Sequence, residues 1–530
     1  MHARAAHRQT DAITLEVLRN ALDSIAEEMG ETLRLTSFSA NIKERMDASC
    51  AVFDAKAELI AQAEHVPVHI GSMARALSAT IADLPPLDEG DVVIANDPFV
   101  AGAHLPDILL MAPVFVDSRL IAYVATRAHH ADVGGMEPGS MPGNSRTIFQ
   151  EGLIIPTVRL FRKGVLQEEV LRIILANVRT PEERRGDLSA QLASLRIGER
   201  RIKEVAERYG LDTLVDGFRA ILDYAERRMR HALRQLPTGT YEAEDQMDDD
   251  GAGSGPVIIK VKVTVSDDNM RLDFSGTSPQ VSGNINAVAP MTYSAIFFAL
   301  KVMVDATVPV NGGTFRPIQV HLPEGCVLNA QWPAAVCAGN TEMPQRIVDT
   351  LFKAFAAIAP ERIPAASQGT MNSISIGGRD PRTGTLYAYI ETVGGGQGGR
   401  PMGVGQDGIQ CNMTNTRNTP IEALEITYPL RIERYELREG SSGAGKHRGG
   451  LGLIRAIRVL NHDALVSITS DRRVSAPYGL GGGADGASGR NLVIRSDGRE
   501  EPQPGKVALE LHAGDTVIVE TPGGGGWGAP

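Results

Sequence analysis

The chain has 530 residues, a formal net charge of −11 at pH 7, and an ordinary globular composition with 42% hydrophobic and 22% charged residues. The acidic balance disfavours non-specific binding to nucleic acid, and no apolar stretch approaches the roughly 18–20 residues of a membrane span. The four scattered cysteines include no CxxC pair, and no secretory signal is visible, so we expect a protein of the reducing cytoplasm.

The N-terminal part of the chain predicts a long helix, several strands and then more helices. Apolar residues recur at helical spacing from Asp11 to Thr36, and Asp11 is a suitable N-cap. Strand-like runs and two further long helices follow, at Val92–Ala95, Ile108–Val116, Leu120–Ala128, Ser189–Tyr209 and Leu211–Leu236.

The composition changes twice further along the chain. An acidic, glycine-containing linker ends at Pro256, and from about Arg362 onward short strands alternate with glycine-rich turns. We therefore predict an α+β fold with mixed sheets, long helices in the N-terminal half and a β-rich, glycine-rich C-terminal half. The expected division is an N-terminal metal-site domain at 1–240, a middle α+β region at 241–361 and a β-rich region at 362–530.

Histidine and aspartate residues are concentrated in the segments NDP, AGAHLPD and RAHHAD, between Asp91 and Glu151. Five of them are candidate metal ligands, namely Asp97, His104, Asp107, His129 and His130. Two imidazoles with one or two carboxylates suit Zn²⁺, Mn²⁺ or Fe²⁺ better than Ca²⁺ or Mg²⁺. The alternative is that these are surface or capping residues, and we prefer that alternative for His65 and His69.

The turn between two of the predicted strands decides which side chains share a face of the sheet. A three-residue loop, Asp117–Arg119, sets Asp107 opposite His129 on one face. A two-residue turn at Asp117 and Ser118 instead sets Asp107 opposite Ala128 and moves His129 to the other face. Either arrangement brings these side chains, with His104, to one end of the sheet.

Longer motifs resemble those of the hydantoinase B/oxoprolinase/acetone carboxylase alpha-subunit family over nearly the whole chain. They include IKERMD at Ile42–Asp47, NDPFVAGAHLPD, RAHHADVGGMEPGSMP, NMTNTRNTPIEALEITYPL and the terminal TPGGGGWGAP. The resemblance implies that a divalent metal is held by Asp47, His104, Asp107 and His129. Asp47 is assigned by the resemblance alone.

The resemblance also suggests roles for residues beside these ligands. His130 and Asp132, the candidate catalytic residues, would orient the ligands or face the substrate. Asp97 becomes a turn residue, together with Asn96.

The function implied by the resemblance is that of a B-type subunit of an ATP-dependent cyclic amidohydrolase. Its substrate would be a hydantoin, 5-oxoproline or a related lactam. A hydantoinase A-type partner with an actin-like ATPase fold would use the ATP and phosphorylate the carbonyl, and this chain would complete hydrolysis with metal-bound water. The alternatives are an alpha-type subunit of an ATP-dependent ketone carboxylase and a non-catalytic assembly partner.

Two glycine-rich motifs are weak evidence for a nucleotide site. GSSGAGK at Gly440–Lys446 matches a P-loop only in part, because His447 follows where Ser or Thr is needed and no helix is predicted next. GGGQGG at Gly394–Gly399 also lacks a following helix and is interpreted as a loop. We interpret Cys50 and Cys411 as buried residues and not as nucleophiles.

Overall fold

The computed structural model describes residues 11–64 and 66–530 and confirms the α+β class. Its helices are α1 Ala12–Thr36, α2 Ala40–Lys43, α3 Ser72–Ala82, α4 Pro98–Ala101, α5 Glu168–Ala176, α6 Pro181–Tyr209, α7 Leu211–Leu233, α8 Ala289–Met303, α9 Gly312–Phe315, α10 Glu342–Ala356 and α11 Ile421–Thr427. Across the described ranges, no helix has both the length and the apolar character that crossing a bilayer requires.

The first helix forms where the sequence predicts it. The Asp11 carboxylate caps α1 by accepting the backbone N–H groups of Ile13 and Thr14, each at 3.0 Å. One stripe of the helix is buried, formed by Leu18, Leu22, Ile25, Met29 and Leu33. Burial of this stripe fixes the side of the helix that packs against the rest of the protein.

The N-terminal half contains a seven-stranded antiparallel sheet in the order β2-β1-β5-β4-β3-β6-β7. Its strands are β1 Ala48–Asp54, β2 Leu59–Glu64, β3 Val92–Ala95, β4 Asp107–Val116, β5 Arg119–His129, β6 Val158–Arg162 and β7 Val165–Leu166. Helices α1 and α6 contact each other and cover one face of the sheet, whereas the opposite face packs against α3. The central strands β4 and β5 are therefore buried on both faces.

A smaller, mixed sheet follows in the middle of the chain. Its strands are β8 Gly239–Met247, β9 Val257–Ser266, β10 Asn269–Asp273 and β11 Ile318–His321, in the order β11-β10-β9-β8. Only the β10–β11 pair is parallel in this sheet, as far as the described residues extend. Helix α10 packs against β8 and β9.

The C-terminal part of the chain forms two further sheets, as its β-rich pattern predicts. The strands are β12 Ser373–Arg379, β13 Leu386–Thr392, β14 Leu430–Arg438, β15 Gly452–Val459, β16 Ala464–Thr469, β17 Arg490–Ile494, β18 Glu500–Gln503, β19 Lys506–Leu511 and β20 Thr516–Glu520. Four strands pair in the order β13-β12-β16-β19, and five pair in the order β14-β15-β20-β17-β18.

Besides the cluster between the N-terminal sheet and α3, two further hydrophobic clusters are extensive among the described residues. The first extends from Leu18 to Met413 and crosses the predicted boundary between residues 240 and 241, so the N-terminal and middle parts share one core. The second lies among the C-terminal strands, from Ile374 to Val519. A small cluster of Ala131, Met141, Cys337 and Ile390 lies where N-terminal, middle and C-terminal segments meet.

Candidate metal centre

The hairpin β4–β5 combines features of both predicted registers. Asp117 and Ser118 form a two-residue turn with φ of 48° and 62°, and Val116 pairs with Arg119. A register shift then follows, at which Ile121 is an extra residue on β5. The extra residue moves the pairing by one position, so Asp107 lies opposite His129, as the three-residue loop predicts.

Three side chains at the end of this hairpin form a compact buried cluster. The Asp107 Oδ1 atom lies 3.0 Å from His129 Nδ1 and 3.2 Å from His104 Nε2. The two imidazole nitrogens are themselves 3.0 Å apart. All three residues are buried, and the structure brings these three predicted ligands together.

The orientation of His104 is fixed by a contact from a distant part of the chain. Its Nδ1–H donates to the backbone carbonyl of Cys337 at 3.1 Å, because a carbonyl oxygen can only accept. In the neutral imidazole, Nε2 is then the unprotonated nitrogen, and its lone pair points at the cluster. Gly102, with φ of 73°, ends α4 and turns the chain towards His104.

The charges in the cluster favour an ionised carboxylate. Burial alone would raise the pKa of Asp107, but the neighbouring His104 and His129 imidazoles hold it well below its ordinary value. Burial alone would lower the pKa of His104, but the attraction of Asp107 outweighs it and raises that pKa. Asp107 is therefore available as an anionic ligand at neutral pH.

Asp47 lies beside the cluster. It lines the same cavity as His104, Asp107 and His129, and its backbone carbonyl accepts the His129 N–H at 3.0 Å. Its carboxylate is not within the 4.8 Å separation that joins the other three. The assignment of Asp47 as a fourth ligand remains a prediction.

His69 lies at the site, although the sequence interpretation favoured a capping role for it. Its Nε2 is 3.5 Å from Asp107 Oδ2, its Nδ1 is 2.9 Å from Ser49 Oγ, and the residue is fully buried. The side chain makes no helix-capping hydrogen bond. Its position depends on how β1, β2 and β5 pair, which no local pattern reveals. His65 lies outside the described residues.

The cavity at this cluster is narrow. The space inside it is about 30 Å³, which would hold a metal ion with about one or two water molecules. It is lined by Arg45, Asp47, Val66, Val68, His69, His104, Asp107, His129, Met141, Asn340, Thr341, Met371, Ser373, Ile390, Thr392, Thr414 and Thr416. The N-terminal, middle and C-terminal parts of the chain all contribute to its wall.

His130 is placed differently from its neighbour His129. Its Nε2 lies 3.0 Å from the side-chain oxygen of Gln191 on α6, and it does not line the cavity. Burial and the nearby Arg184 guanidinium lower the pKa of His130 to about 4. Its backbone N–H donates to the Pro106 carbonyl at 2.8 Å, next to the metal-site loop. This placement supports an orienting role for His130 and gives no support to substrate contact.

Asp132 organises the loop after β5. Its two carboxylate oxygens accept the backbone N–H groups of Gly134, Gly139 and Arg179 at 2.9–3.2 Å. The Arg179 guanidinium also donates to it at 2.8 Å. Asp132 is fully buried and, like His130, does not line the cavity.

Asn96 and Asp97 have the positions expected of turn residues. The Asp97 carboxylate caps the short helix α4 by accepting the Phe99 N–H at 3.0 Å. The Asn96 side chain donates to the Leu105 carbonyl at 2.8 Å and accepts the Ile155 N–H at 2.6 Å. Asn96 therefore anchors the loop that contains His104.

The two glycine-rich motifs pack against the C-terminus of the chain. Gly443 and Gly524 are joined by a backbone hydrogen bond of 2.8 Å, and the GSSGAGK segment leads into the strand β15. Gly399 in the GGGQGG segment donates to Gly525 at 2.8 Å. In the part of the chain that the structure describes, no helix directly follows either segment, which agrees with their interpretation as loops.

The cysteines are buried, and no disulfide joins them. Burial raises the pKa of both Cys50 and Cys411 to about 12, so neither is a thiolate at neutral pH.

Comparison with known proteins shows which protein family shares the motifs of this chain. The family model "Hydantoinase B/oxoprolinase" matches residues 11–530. The chain is 34% identical to a protein of Pseudomonas sp. (strain NS671) that is provisionally named as the B component of a D-/L-hydantoinase, over 99% of this chain and 91% of that protein. It is 39% identical to 5-oxoprolinase 1 of Arabidopsis thaliana, over 99% of this chain but only 42% of that longer protein.

Two solved structures share the fold. An ATP-dependent caprolactamase from Pseudomonas jessenii aligns with a TM-score of 0.92 and 31% identity, over 99% of this chain and 92% of that chain. A nucleotide-free acetone carboxylase aligns with a TM-score of 0.91 and 19% identity, over 98% of this chain and 76% of that chain. The second likeness shows the fold alone.

Proposed function

Because the chain belongs to the hydantoinase B/oxoprolinase family, we propose that it is the B-type subunit of an ATP-dependent cyclic amidohydrolase. Its substrate is a hydantoin, 5-oxoproline or a related lactam. The observation that carries the proposal is the buried cluster of His104, Asp107 and His129. Similarity to a caprolactamase and to the B component of a hydantoinase, nearly end to end, supports it.

The donor atoms of the cluster fit a divalent transition metal. Two imidazole nitrogens and one carboxylate oxygen lie within 3.2 Å of one another. Close packing alone does not require three polar atoms to converge in this way. Asp47 lines the same cavity. This mixture of nitrogen and oxygen donors suits Zn²⁺, Mn²⁺ or Fe²⁺. When bound, such an ion would make hydroxide available near neutral pH and polarise a carbonyl oxygen.

Residues around the cluster orient one candidate ligand and provide a group for proton transfer. The Cys337 carbonyl holds His104 in one orientation and one tautomer, as partners of metal-binding imidazoles commonly do. The imidazole of His69 also lines the cavity, with its Nε2 3.5 Å from Asp107 Oδ2. We assign His69 to proton transfer between water and the nitrogen that leaves when the ring opens.

ATP is used by a partner in this proposal, a hydantoinase A-type subunit with an actin-like ATPase fold. The partner phosphorylates the amide carbonyl oxygen, which makes the carbon a better electrophile and provides a better leaving group. A relative that is 34% identical to this chain is named as a subunit of a hydantoinase, which supports a two-part enzyme. We place the complex in the reducing cytoplasm, consistent with four free cysteines.

A ketone carboxylase subunit is the second candidate. The acetone carboxylase chain has the same fold, so the fold does not separate the two activities. The 31% identity to a caprolactamase and the 34% identity to a protein named as a hydantoinase component favour the hydrolase. A purely structural partner is disfavoured, because packing does not require two imidazoles and a carboxylate in contact within a cavity.

The test is an activity assay of the chain purified with its A-type partner. Hydantoin, 5-oxoproline and caprolactam should each be supplied with and without ATP and with and without added Zn²⁺, Mn²⁺ or Fe²⁺. We expect ring opening of at least one substrate that depends on both ATP and metal. ATP- and bicarbonate-dependent consumption of acetone, with no lactam turnover, would support the carboxylase instead.

A further inference from the structure

A buried carboxylate outside the cavity has no part in the chemistry described so far. Glu151 directly follows a short 3₁₀ turn at Ile148–Gln150 and is fully buried, but it does not line the cavity. Among the described residues, no basic side chain forms an ion pair with it. A buried charge without an opposite charge is costly, and packing alone would be served better by an apolar side chain. Its contacts with the backbone show what it does instead.

The Glu151 carboxylate holds two consecutive backbone N–H groups of a distant segment. Its Oε1 atom accepts the N–H of Val336 at 3.0 Å and that of Cys337 at 3.1 Å, and its Oε2 atom lies 3.1 Å from the Val336 nitrogen. The Ser145 hydroxyl also donates to Oε1, at 2.9 Å. A carboxylate suits these three donors because it only accepts hydrogen bonds. Burial raises the pKa of Glu151, but the same hydrogen bonds oppose that shift.

The segment that Glu151 holds is the one that orients His104. The Cys337 carbonyl accepts the Nδ1–H of His104 at 3.1 Å. The other end of the same peptide group is fixed too, because the Ala338 N–H donates to the Asn284 carbonyl at 3.0 Å. Residues 335–338 belong to no helix or strand, so no regular hydrogen-bond pattern determines where the Cys337 carbonyl points. Its position depends on these individual contacts, of which Glu151 supplies those to two N–H groups.

We propose that Glu151 is a positioning residue that sets the orientation and tautomer of His104 through the backbone of Val336 and Cys337. The inference rests on the proposed function, in which His104 is a metal ligand. Without the carboxylate, the Cys337 carbonyl is free to move away from His104 Nδ1. The neutral imidazole can then carry its proton on Nε2, the nitrogen that must be unprotonated to bind a metal. Partners that orient metal-binding imidazoles commonly contribute about 10–100-fold to metal affinity.

The first measurement is the affinity of the full-length chain for Zn²⁺, determined by competition with a chelator. Glu151→Gln keeps the size of the side chain but turns an amide N–H₂ group towards backbone N–H groups, so the segment should shift. We expect this variant to bind Zn²⁺ about 10–100-fold more weakly than the parent. Ser145→Ala removes one donor and leaves the carboxylate on the backbone, so it should cause a smaller loss in the same direction.

The second measurement is the tautomer of His104 in the metal-free chain, read from ¹⁵N NMR of protein labelled in histidine. The His104 signals are assigned by their absence from His104→Ala. The parent should show the Nδ1–H tautomer alone, whereas Glu151→Gln should show a mixture with the Nε2–H form. A purely structural role of Glu151 would lower thermal stability without changing this tautomer.

Glu137 provides a matched control in the same loop. It is also buried, but it does not line the cavity, and its side chain makes no hydrogen bond to residues 335–338 in the described part of the chain. Glu137→Gln should match the parent in both Zn²⁺ affinity and His104 tautomer.

The two measurements separate this inference from the proposed function. If the parent binds one Zn²⁺ ion and Glu151→Gln matches it in affinity and tautomer, the positioning role is wrong and the proposed function stands. Should Glu151→Gln fail to fold, unchanged affinity and tautomer in Ser145→Ala overturn the positioning role in the same way. If the parent binds no Zn²⁺, Mn²⁺ or Fe²⁺, the proposed function is overturned, whereas an altered His104 tautomer in Glu151→Gln would still support the positioning of His104 by Glu151.

Discussion

Asp107 lies directly opposite His129 across the β4–β5 hairpin, and its Oδ1 atom is 3.0 Å from the Nδ1 atom of that histidine. The pairing exists because a single extra residue, Ile121, compensates for a two-residue turn. The hairpin is central in its sheet and buried on both faces, so the two side chains are held in a rigid setting.

The first prediction concerns His104. Replacement by Ala removes one imidazole, so metal affinity should fall more than about 100-fold, since the loss of mere supporting partners costs 10–100-fold. Ring-opening activity should fall with it, while assembly with the partner is retained. Metal analysis, activity assays and size-exclusion chromatography measure the three effects.

His512 offers a matched control for this experiment. It forms an exposed group with Asp463 and Glu510 that also has ligand-type atoms close together. His512→Ala should leave metal content and activity unchanged. Full activity in His104→Ala would show that the buried cluster is not the catalytic site.

The second prediction separates proton transfer from metal binding at His69. His69→Gln should lower kcat by roughly 10²–10⁴-fold, the usual contribution of a general acid–base group, with the metal retained. Ser49→Ala, which removes the contact to His69 Nδ1, should have a smaller effect in the same direction. Loss of the metal from His69→Gln would make this residue a ligand and contradict the assignment.

The third prediction concerns Asp132, whose contacts organise a loop and do not reach the cavity. Asp132→Asn breaks a buried charge pair with Arg179 and turns a donor towards backbone N–H groups. The free energy of unfolding should fall by roughly 3 kcal/mol. Urea denaturation measures this change. If Asp132→Asn kept the parental stability but lost activity, the result would contradict a purely structural role and support the prediction that Asp132 faces the substrate.

The sequence was sufficient for features that depend on local pattern. The helix after Asp11, the strands that contain Asp107 and His129, and the glycine-rich β region all follow from periodicity, capping and turn residues. Each of these features depends on interactions between residues that are near neighbours in the chain. The structure brings His104, Asp107 and His129 together, and their role as metal ligands stays a prediction.

Other features depend on contacts between distant segments and were not predictable. Cys337 reaches His104 across 233 positions, and Ser373 and Thr392 enter the same cavity from C-terminal strands. The extra residue Ile121 has no local sequence signal, and the position of His69 depends on sheet pairing. Asp47 was found only by resemblance to a family, because nothing in its local pattern distinguishes it from a surface aspartate.

The fourth prediction concerns the pH dependence of stability. Burial raises the pKa of Glu342 from 4.5 to about 7. The folded chain thus binds this proton more tightly than the unfolded chain, so the contribution to stability is complete below about pH 4.5 and is lost as the pH rises towards 7. The loss amounts to about 3 kcal/mol.

Glu342→Gln should remove this dependence, and the exposed Glu422→Gln should not. Urea denaturation of both variants and the parent between pH 4.5 and 8 gives the comparison. If Glu342→Gln loses stability across this range as steeply as the parent does, Glu342 does not remain protonated in the fold.

The central claim is that four side chains, distant along the chain, hold one divalent ion. Anomalous diffraction from crystals of the metal-loaded protein, recorded at the Zn, Mn and Fe absorption edges, tests it most directly. We predict a single peak in contact with His104 Nε2, His129 Nδ1 and the carboxylates of Asp47 and Asp107. A metal peak located elsewhere, or no peak in this cavity in a protein that is active, would contradict the account.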